Sequence, residues 1–199
     1  MLQSLLSLDT ELLIWARGLL GPDSARIVQI LGESVVLWWG LLLTWLWLTW
    51  VKHADNRWKI ASLQIFTTII LTFLFYTIVN FGIPAWRPNP QEVVWGLAPL
   101  IPHPLDNSFP SGHALFTAAF IVGLIRFSPK RWLILITIML GLITALARVI
   151  GWVHYPGDII GGWILGGFWA YGVSLMIDRW FLREYIFAPF VKFASFLRL

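Results

Sequence analysis

The chain has 199 residues, of which 58% are hydrophobic and only 12% charged, with 14 Trp, 14 Phe and a mean hydropathy of +0.76. Soluble domains run nearer ~45–50% apolar and ~25% charged, so an ordinary cytosolic enzyme, a disordered chain and a secreted disulfide scaffold are excluded and an integral membrane protein is left. Without cysteine there is no disulfide, cysteine nucleophile or thiolate metal site, and the net charge of +4 is not arranged as a basic stripe suited to nucleic acid.

The N-terminal segment is not a signal peptide, because no Lys or Arg precedes Arg17 and Asp9 and Glu11 interrupt the apolar stretch. Residues 4–20 read as an amphipathic helix at the membrane interface, or as an extra short span. A bilayer core about 30 Å thick takes roughly 20 mostly apolar residues per helix. Five segments qualify, at about Ile27–Val51, Ile60–Gly82, Ser111–Phe127, Trp132–Ile150 and Asp158–Ile177. They are too long for barrel strands and lack period-2 alternation. The expected fold is therefore all-α, a polytopic membrane bundle of five or six helices forming one domain over residues 1–199. Trp38, Trp39, Trp50, Trp58, Trp132 and Trp180 lie near span ends, as interface anchors do.

Sidedness follows from the cations. Lys52, Arg57 and Lys59 follow the first span; Arg126, Lys130 and Arg131 join the third and fourth; Arg179, Arg183, Lys192 and Arg198 lie in the tail. These ten share one face if five helices alternate, and the positive-inside rule makes that face cytoplasmic. Arg87, Arg148, His103, His113 and His154 fall on the other face, beside the helix ends. The connection at 81–110 holds seven prolines, and loops of this length are more often functional than idle.

Three stretches converge there. Ser111 before an apolar run is a candidate N-cap, and a helix N-terminus binds anions through free N–H groups and its dipole. Gly112 would admit a bound group close to the backbone, and His113 sits in the first turn. A capped helix with an interfacial histidine is the plain structural alternative. Arg148, after an apolar run, calls for an anion, either a phosphate or a carboxylate such as Asp158 or Glu92, unless it snorkels to the interface. Arg87, beside Trp86 and Pro88, reads as a phosphate ligand or an interfacial anchor. Asp158, four residues after His154, could orient one imidazole nitrogen and leave the other free as nucleophile or base; alternatively it only caps the last span. Two arginines would repel a dication and can grip phosphate bidentately, so no metal and no cofactor is expected. Together these groups point to metal-free phosphoryl transfer at the outer membrane surface.

Pro110-Ser111-Gly112-His113, Arg148-x5-His154-x3-Asp158 and Arg87-Pro88 resemble the motifs of the type 2 phosphatidic acid phosphatase superfamily of membrane lipid phosphatases. The resemblance covers roughly residues 80–158. It implies a catalytic trio in which His154 attacks phosphorus, Asp158 orients it and His113 protonates the leaving oxygen. It also implies a cradle of Arg87, Arg148, Ser111 and Gly112, with Asn80 where the family has lysine and Ala147 where it has serine. The substrate differs, a loop group such as His103 or Asn107 substitutes, or turnover is low. The implied activity is hydrolysis of a lipid phosphate or diphosphate in the bilayer, of the undecaprenyl diphosphate or phosphatidic acid/phosphatidylglycerol phosphate class. A lipid phosphotransferase, or a weakly active or non-catalytic lipid binder, is the alternative. The implied location is the cell inner (plasma) membrane, multi-pass, with the site on the extracytoplasmic side.

Overall fold

The computed structural model describes residues 2–34, 37–44, 57–85, 87–88, 98–102, 107–128, 131–179 and 183–196. Helix α1 spans Leu2–Gly18, and a 3-10 turn at Pro22–Ser24 leads into α2, Ala25–Glu33. The chain is helical again over 37–44. Then come α3 (Arg57–Gly82), α4 (Gly112–Phe127), α5 (Trp132–Ile150) and α6 (Pro156–Ile177). A π turn at Arg183–Phe187 precedes α7, Ala188–Phe196. No strand occurs among the described residues.

Among the described residues, four segments are long and apolar enough to cross a membrane: Pro22–Thr44, Lys59–Gly82, Trp132–Ile150 and Pro156–Ile177. Gly112–Phe127 is a shorter apolar helix packed among them. The protein is a multi-pass membrane protein, all-α as its composition requires. The last four spans fall within a few residues of their expected positions. The first begins earlier, at Pro22, and the expected continuation over 45–51 lies outside the described residues. The N-terminal segment is helical as expected, but α1 is not among the segments able to cross.

With lipid outside, burying apolar surface gives helices little reason to associate, so close packing and polar satisfaction must do it. The most extensive contact is between α4 and α6. A Cβ on Gly162 would lie 2.7 Å from the Ser111 carbonyl oxygen, and one on Gly166 would lie 2.6 Å from that of Leu115. Two glycines four apart therefore let the α6 backbone rest on that of α4. Buried threonines add no orphaned hydroxyls, because Thr68, Thr72 and Thr137 each donate to the carbonyl four residues back.

Trp39 departs from its expected role. It is only 6% exposed and stacks on Phe120 inside the bundle at a centroid separation of 6.0 Å. Position near a span end did not reveal that its ring fills a core gap between the first span and α4. Trp38 and Trp132 are exposed as anchors would be; Trp50 and Trp180 and the side chain of Trp58 lie outside the described residues.

The alternating helices sort the charges. Lys59, Arg126, Arg131 and Arg179 gather at one end of the bundle, where Arg126 pairs with Asp178 at 2.8 Å. Lys59, expected on a loop, is instead buried in the first turn of α3; Lys52 and Lys130 lie outside the described residues. The opposite end carries the loop after α3, the start of α4 and the turn from α5 to α6. Helix α1 packs on α5 and α6.

The glycine contact gives a paired test. Gly166→Ala should lower the melting temperature of the detergent-solubilised protein, by an amount corresponding to about 1–3 kcal/mol of overpacking. Gly172→Ala on the same helix, whose Cβ would meet nothing within 4 Å, should not lower it. Equal effects would remove the glycine contact as the determinant of α4–α6 packing.

Candidate active site

Helix α5 ends in a Schellman motif. Val153 N–H donates to the Arg148 carbonyl at 3.0 Å and Trp152 N–H to that of Val149 at 3.0 Å. The left-handed residue is Trp152, with φ 64°, rather than Gly151 before it. A left-handed conformation costs a non-glycine residue about 1–2 kcal/mol, here offset by complete burial of the indole. The reversal carries His154 back over the end of α5, and Pro156 then starts α6.

His154 is buried at the centre of a short hydrogen-bonded chain. Its Nε2 lies 3.3 Å from Arg87 Nη1, which also donates to the Val153 carbonyl at 3.1 Å. A guanidinium can only donate, so Nε2 presents its lone pair and Nδ1 carries the proton. That proton faces Ser108 Oγ at 3.3 Å, and the Ser108 hydroxyl donates to Asp158 Oδ2 in a short hydrogen bond. The same oxygen accepts from Tyr155 N–H at 2.9 Å.

The coupling of His154 to Asp158 therefore differs from the expected direct bond. Nδ1 and Oδ2 are 3.6 Å apart, too far for a hydrogen bond, and Ser108 spans the gap. Asp158 both orients the imidazole through Ser108 and caps α6, so the two sequence readings are compatible. Ser108 was missed because it belongs to neither motif and approaches from the loop. Its neighbour Asn107 fastens that loop: Oδ1 accepts from Ala85 N–H at 2.6 Å, and Nδ2 donates to Ile83 O at 2.8 Å and, in a short bond, to Asn80 O.

Ser111 is the N-cap residue of α4, as expected, but its hydroxyl makes no capping bond. Its N–H donates to the Asp158 carbonyl at 3.1 Å, while its buried Oγ has no partner among the described residues. Buried Arg148 Nε likewise has none. The acidic group within electrostatic reach of Arg148 is Glu33 of α2; Glu92 lies outside the described residues, as do Trp86 and His103. His113, in the first turn of α4, is within electrostatic reach of Arg148, His154 and Arg87. The structure thus brings together His113, His154, Asp158, Arg87, Arg148 and Ser111.

Two residues have different surroundings from those expected. A Cβ on Gly112 would sit 3.3 Å from the Tyr76 ring, so the missing side chain makes room for an aromatic group. Asn80 directs its amide at the Phe109 carbonyl, 3.1 Å away, and braces the segment that carries Ser108 and Ser111.

Burial holds the His154 imidazole down to a pKa of about 4, with Arg87 and Arg148 acting in the same direction and the Asp158 carboxylate opposing them. At neutral pH the ring is uncharged with Nε2 unprotonated, the form a nucleophile needs.

The chain is similar to known proteins in family and fold. The PAP2 superfamily model matches residues 61–182. An undecaprenyl-diphosphatase of Sulfolobus acidocaldarius is 40% identical over 79 residues, which is 40% of this chain and 37% of that relative's length. A lipid A 4'-phosphatase of Bacteroides thetaiotaomicron is 26% identical over 175 residues, covering 84% of this chain and 76% of the relative. The crystal structure of a transmembrane PAP2-type phosphatidylglycerolphosphate phosphatase from Bacillus subtilis superposes with a TM-score of 0.63 at 22% identity, over 89% of each chain.

The low pKa of His154 has a signed consequence for stability. Unfolding returns the ring to about 6.5, so between 6.5 and 4 the unfolded chain binds more protons than the folded one. Its contribution is full above pH 6.5 and is lost as pH falls towards 4. Melting temperatures of the solubilised protein should therefore fall more steeply from pH 7 to 4.5 for wild type than for His154→Asn, which cannot titrate there. Parallel profiles would show that His154 is not held neutral by the fold.

Proposed function

We propose, from the premise that this chain belongs to the PAP2 superfamily, that it is a metal-independent lipid phosphatase acting through a phosphohistidine. The observation that carries the reading is the pair of buried donors without a partner among the described residues, Ser111 Oγ and Arg148 Nε, at a site whose imidazole has its Nε2 unprotonated. Burying such groups without partners costs about 1–3 kcal/mol each, and phosphate oxygens would satisfy both.

In this mechanism the substrate phosphoryl group enters against Arg148 and Ser111 and draws the Arg87 guanidinium from Nε2 onto its own oxygens. His154 Nε2 attacks phosphorus and the P–O bond to the leaving group breaks. His113 gives that oxygen a proton. The imidazolium formed at His154 is stabilised by Asp158 through Ser108, the role a triad carboxylate plays for its histidine. Water, losing a proton to His113, then cleaves the P–N bond and releases inorganic phosphate. The two arginines spread the transition-state charge, which is most of what phosphoryl transfer requires of a protein.

The substrate is a lipid whose tail stays in the bilayer, and an undecaprenyl-type diphosphate is the first choice. Support comes from the likeness to small bacterial members of the family and from the name of the Sulfolobus relative, 40% identical over the stretch it shares. The site opens on the extracytoplasmic side of the inner membrane, in one membrane-embedded domain. The charge sorting supports this sidedness, since the cations at the far end of the bundle belong in the cytoplasm.

Purified protein presented with undecaprenyl diphosphate, phosphatidic acid, phosphatidylglycerol phosphate and lipid A should release phosphate from at least one. His154→Ala should abolish the release while the melting temperature persists. No release from any lipid, or full release by His154→Ala, would overturn the proposal.

Ser108→Ala should lower kcat by about 10- to 100-fold, the equivalent of a charge-assisted hydrogen bond worth ~1.5–3 kcal/mol. KM should change little, because Ser108 faces the imidazole and not the phosphate. Unchanged kcat would return the orienting role to a direct His154–Asp158 contact.

A further inference from the structure

Helix α1 has three charged residues, and two of them are on its packed face. Asp9, Leu13, Ala16 and Arg17 recur at helical spacing; Leu13, Ala16 and Arg17 are buried and Asp9 is half-buried, while Glu11 is exposed. A buried charge is costly unless hydrogen-bonded, and both charges are bonded to backbone that leads to the site. Arg17 donates to the Ala98 carbonyl from Nε and Nη2 at 3.2 and 3.1 Å and to the Leu20 carbonyl at 2.9 Å. Three residues beyond Ala98, Ile101 N–H donates to the Gly151 carbonyl at 3.2 Å, at the start of the turn that carries His154.

Asp9 acts at the other end of the same turn. Its Oδ1 accepts from Gly157 N–H at 2.8 Å, in the first turn of α6 and next to Asp158. A Cβ on Gly157 would lie 2.7 Å from Asp9 Oδ2, so any other residue there would displace the carboxylate from its present position. The contact borders a cleft of about 490 Å3 whose lining includes Asp9, Tyr155 and Asp158. The hydrogen bond spans from α1 to the turn at the edge of this cleft. Burial pushes the Asp9 carboxyl up, the Gly157 N–H opposes that, and the charge of Asp158 adds to it.

We propose that Asp9 is a positioning residue: from α1 it fixes the first turn of α6, and thereby Asp158, Ser108 and the His154 imidazole. On this reading the N-terminal helix belongs to the active site although it supplies no group that touches substrate. The inference rests on the phosphatase reading for its kinetic consequence but not for its structural one.

The test uses the full-length protein in detergent. Asp9→Ala should lower kcat by about tenfold or more, the scale on which a sub-ångström to 1 Å misplacement acts, with KM changed less than about twofold. Asp9→Asn keeps an acceptor for Gly157 N–H and should recover kcat to within about threefold of wild type. Glu11→Ala, on the exposed face, should be silent. Gly157→Ala pushes the carboxylate away without altering Asp9, so it should reproduce the kcat loss, and adding Asp9→Ala should cost little more. Peptides covering 151–160 should exchange amide hydrogens faster in Asp9→Ala and Gly157→Ala than in wild type or Asp9→Asn.

Wild-type kcat in Asp9→Ala, Asp9→Asn as damaged as Asp9→Ala, or additive losses in the double variant would overturn the positioning role. If wild type releases phosphate from no lipid, the phosphatase reading fails, and amide exchange alone decides whether Asp9 holds the turn. Unchanged exchange then overturns the proposal as well.

Discussion

The hydrogen bond from Ser111 N–H to the Asp158 carbonyl joins the first turn of α4 to the first turn of α6, and the site's geometry depends on it. It forms only because Gly162 and Gly166 let the two backbones touch just below. Once that approach is fixed, the segment before α4 must pass beside the Asp158 side chain, which places Ser108 between His154 and Asp158. A side chain on either glycine would part the helices and open that gap. The contact that stabilises the bundle in lipid, where small residues and polar satisfaction outweigh hydrophobic burial, is thus also the contact that sets His154 against Ser108 and Asp158.

Around this seam the protein accepts local costs that a purely structural bundle would avoid. Trp152 takes a left-handed conformation one residue after a glycine. Arg148 Nε and Ser111 Oγ are buried without partners among the described residues, and His154 is neutral in a place where two arginines oppose its protonation. Strain and unsatisfied polar groups concentrate where a fold serves a reaction rather than itself. Elsewhere the buried hydroxyls of Thr68, Thr72 and Thr137 are all satisfied within their own helices. Unpartnered buried groups are not confined to this end, since Trp39 Nε1 and Ser62 Oγ also lack partners among the described residues, but here they flank a neutral imidazole and two arginines.

The helices could be read from the sequence because each is an apolar run of bilayer length, a property of neighbouring residues. The motif residues could be read because their types state their chemistry. Contacts between distant segments were not legible. Ser108 reaches His154 across 46 positions and Asp9 reaches Gly157 across 148, and no local pattern encodes either. Trp39 misled for the same reason: a tryptophan near a span end is an anchor or a core ring according to what the next helix offers. Asp9 and Glu11 both interrupt the apolar stretch, but only Asp9 lies on the packed face. The helical spacing of Asp9, Leu13, Ala16 and Arg17 held the signal that one acid and one base share the packed face.

The departures at positions 80 and 147 take on a different meaning in three dimensions. From sequence, an asparagine for a lysine and an alanine for a serine look like a phosphate cradle that has lost a cation and a hydroxyl. In the structure Asn80 sends its amide to the Phe109 carbonyl and receives Asn107 at its own carbonyl. It ties the end of α3 to the segment bearing Ser108 and Ser111. Ala147 belongs to an apolar cluster with Val28, Leu100, Ile101 and Val153, the residues against which the nucleophile turn is seated. A serine there would satisfy its hydroxyl by turning it back to the carbonyl four residues earlier, as Thr137 does on the same helix, and so would bring no hydroxyl to the site. Both positions have thus been taken into the scaffold behind the site. The cations beside His154 are Arg87 and Arg148, and Arg87 Nη1 lies 3.3 Å from the His154 Nε2.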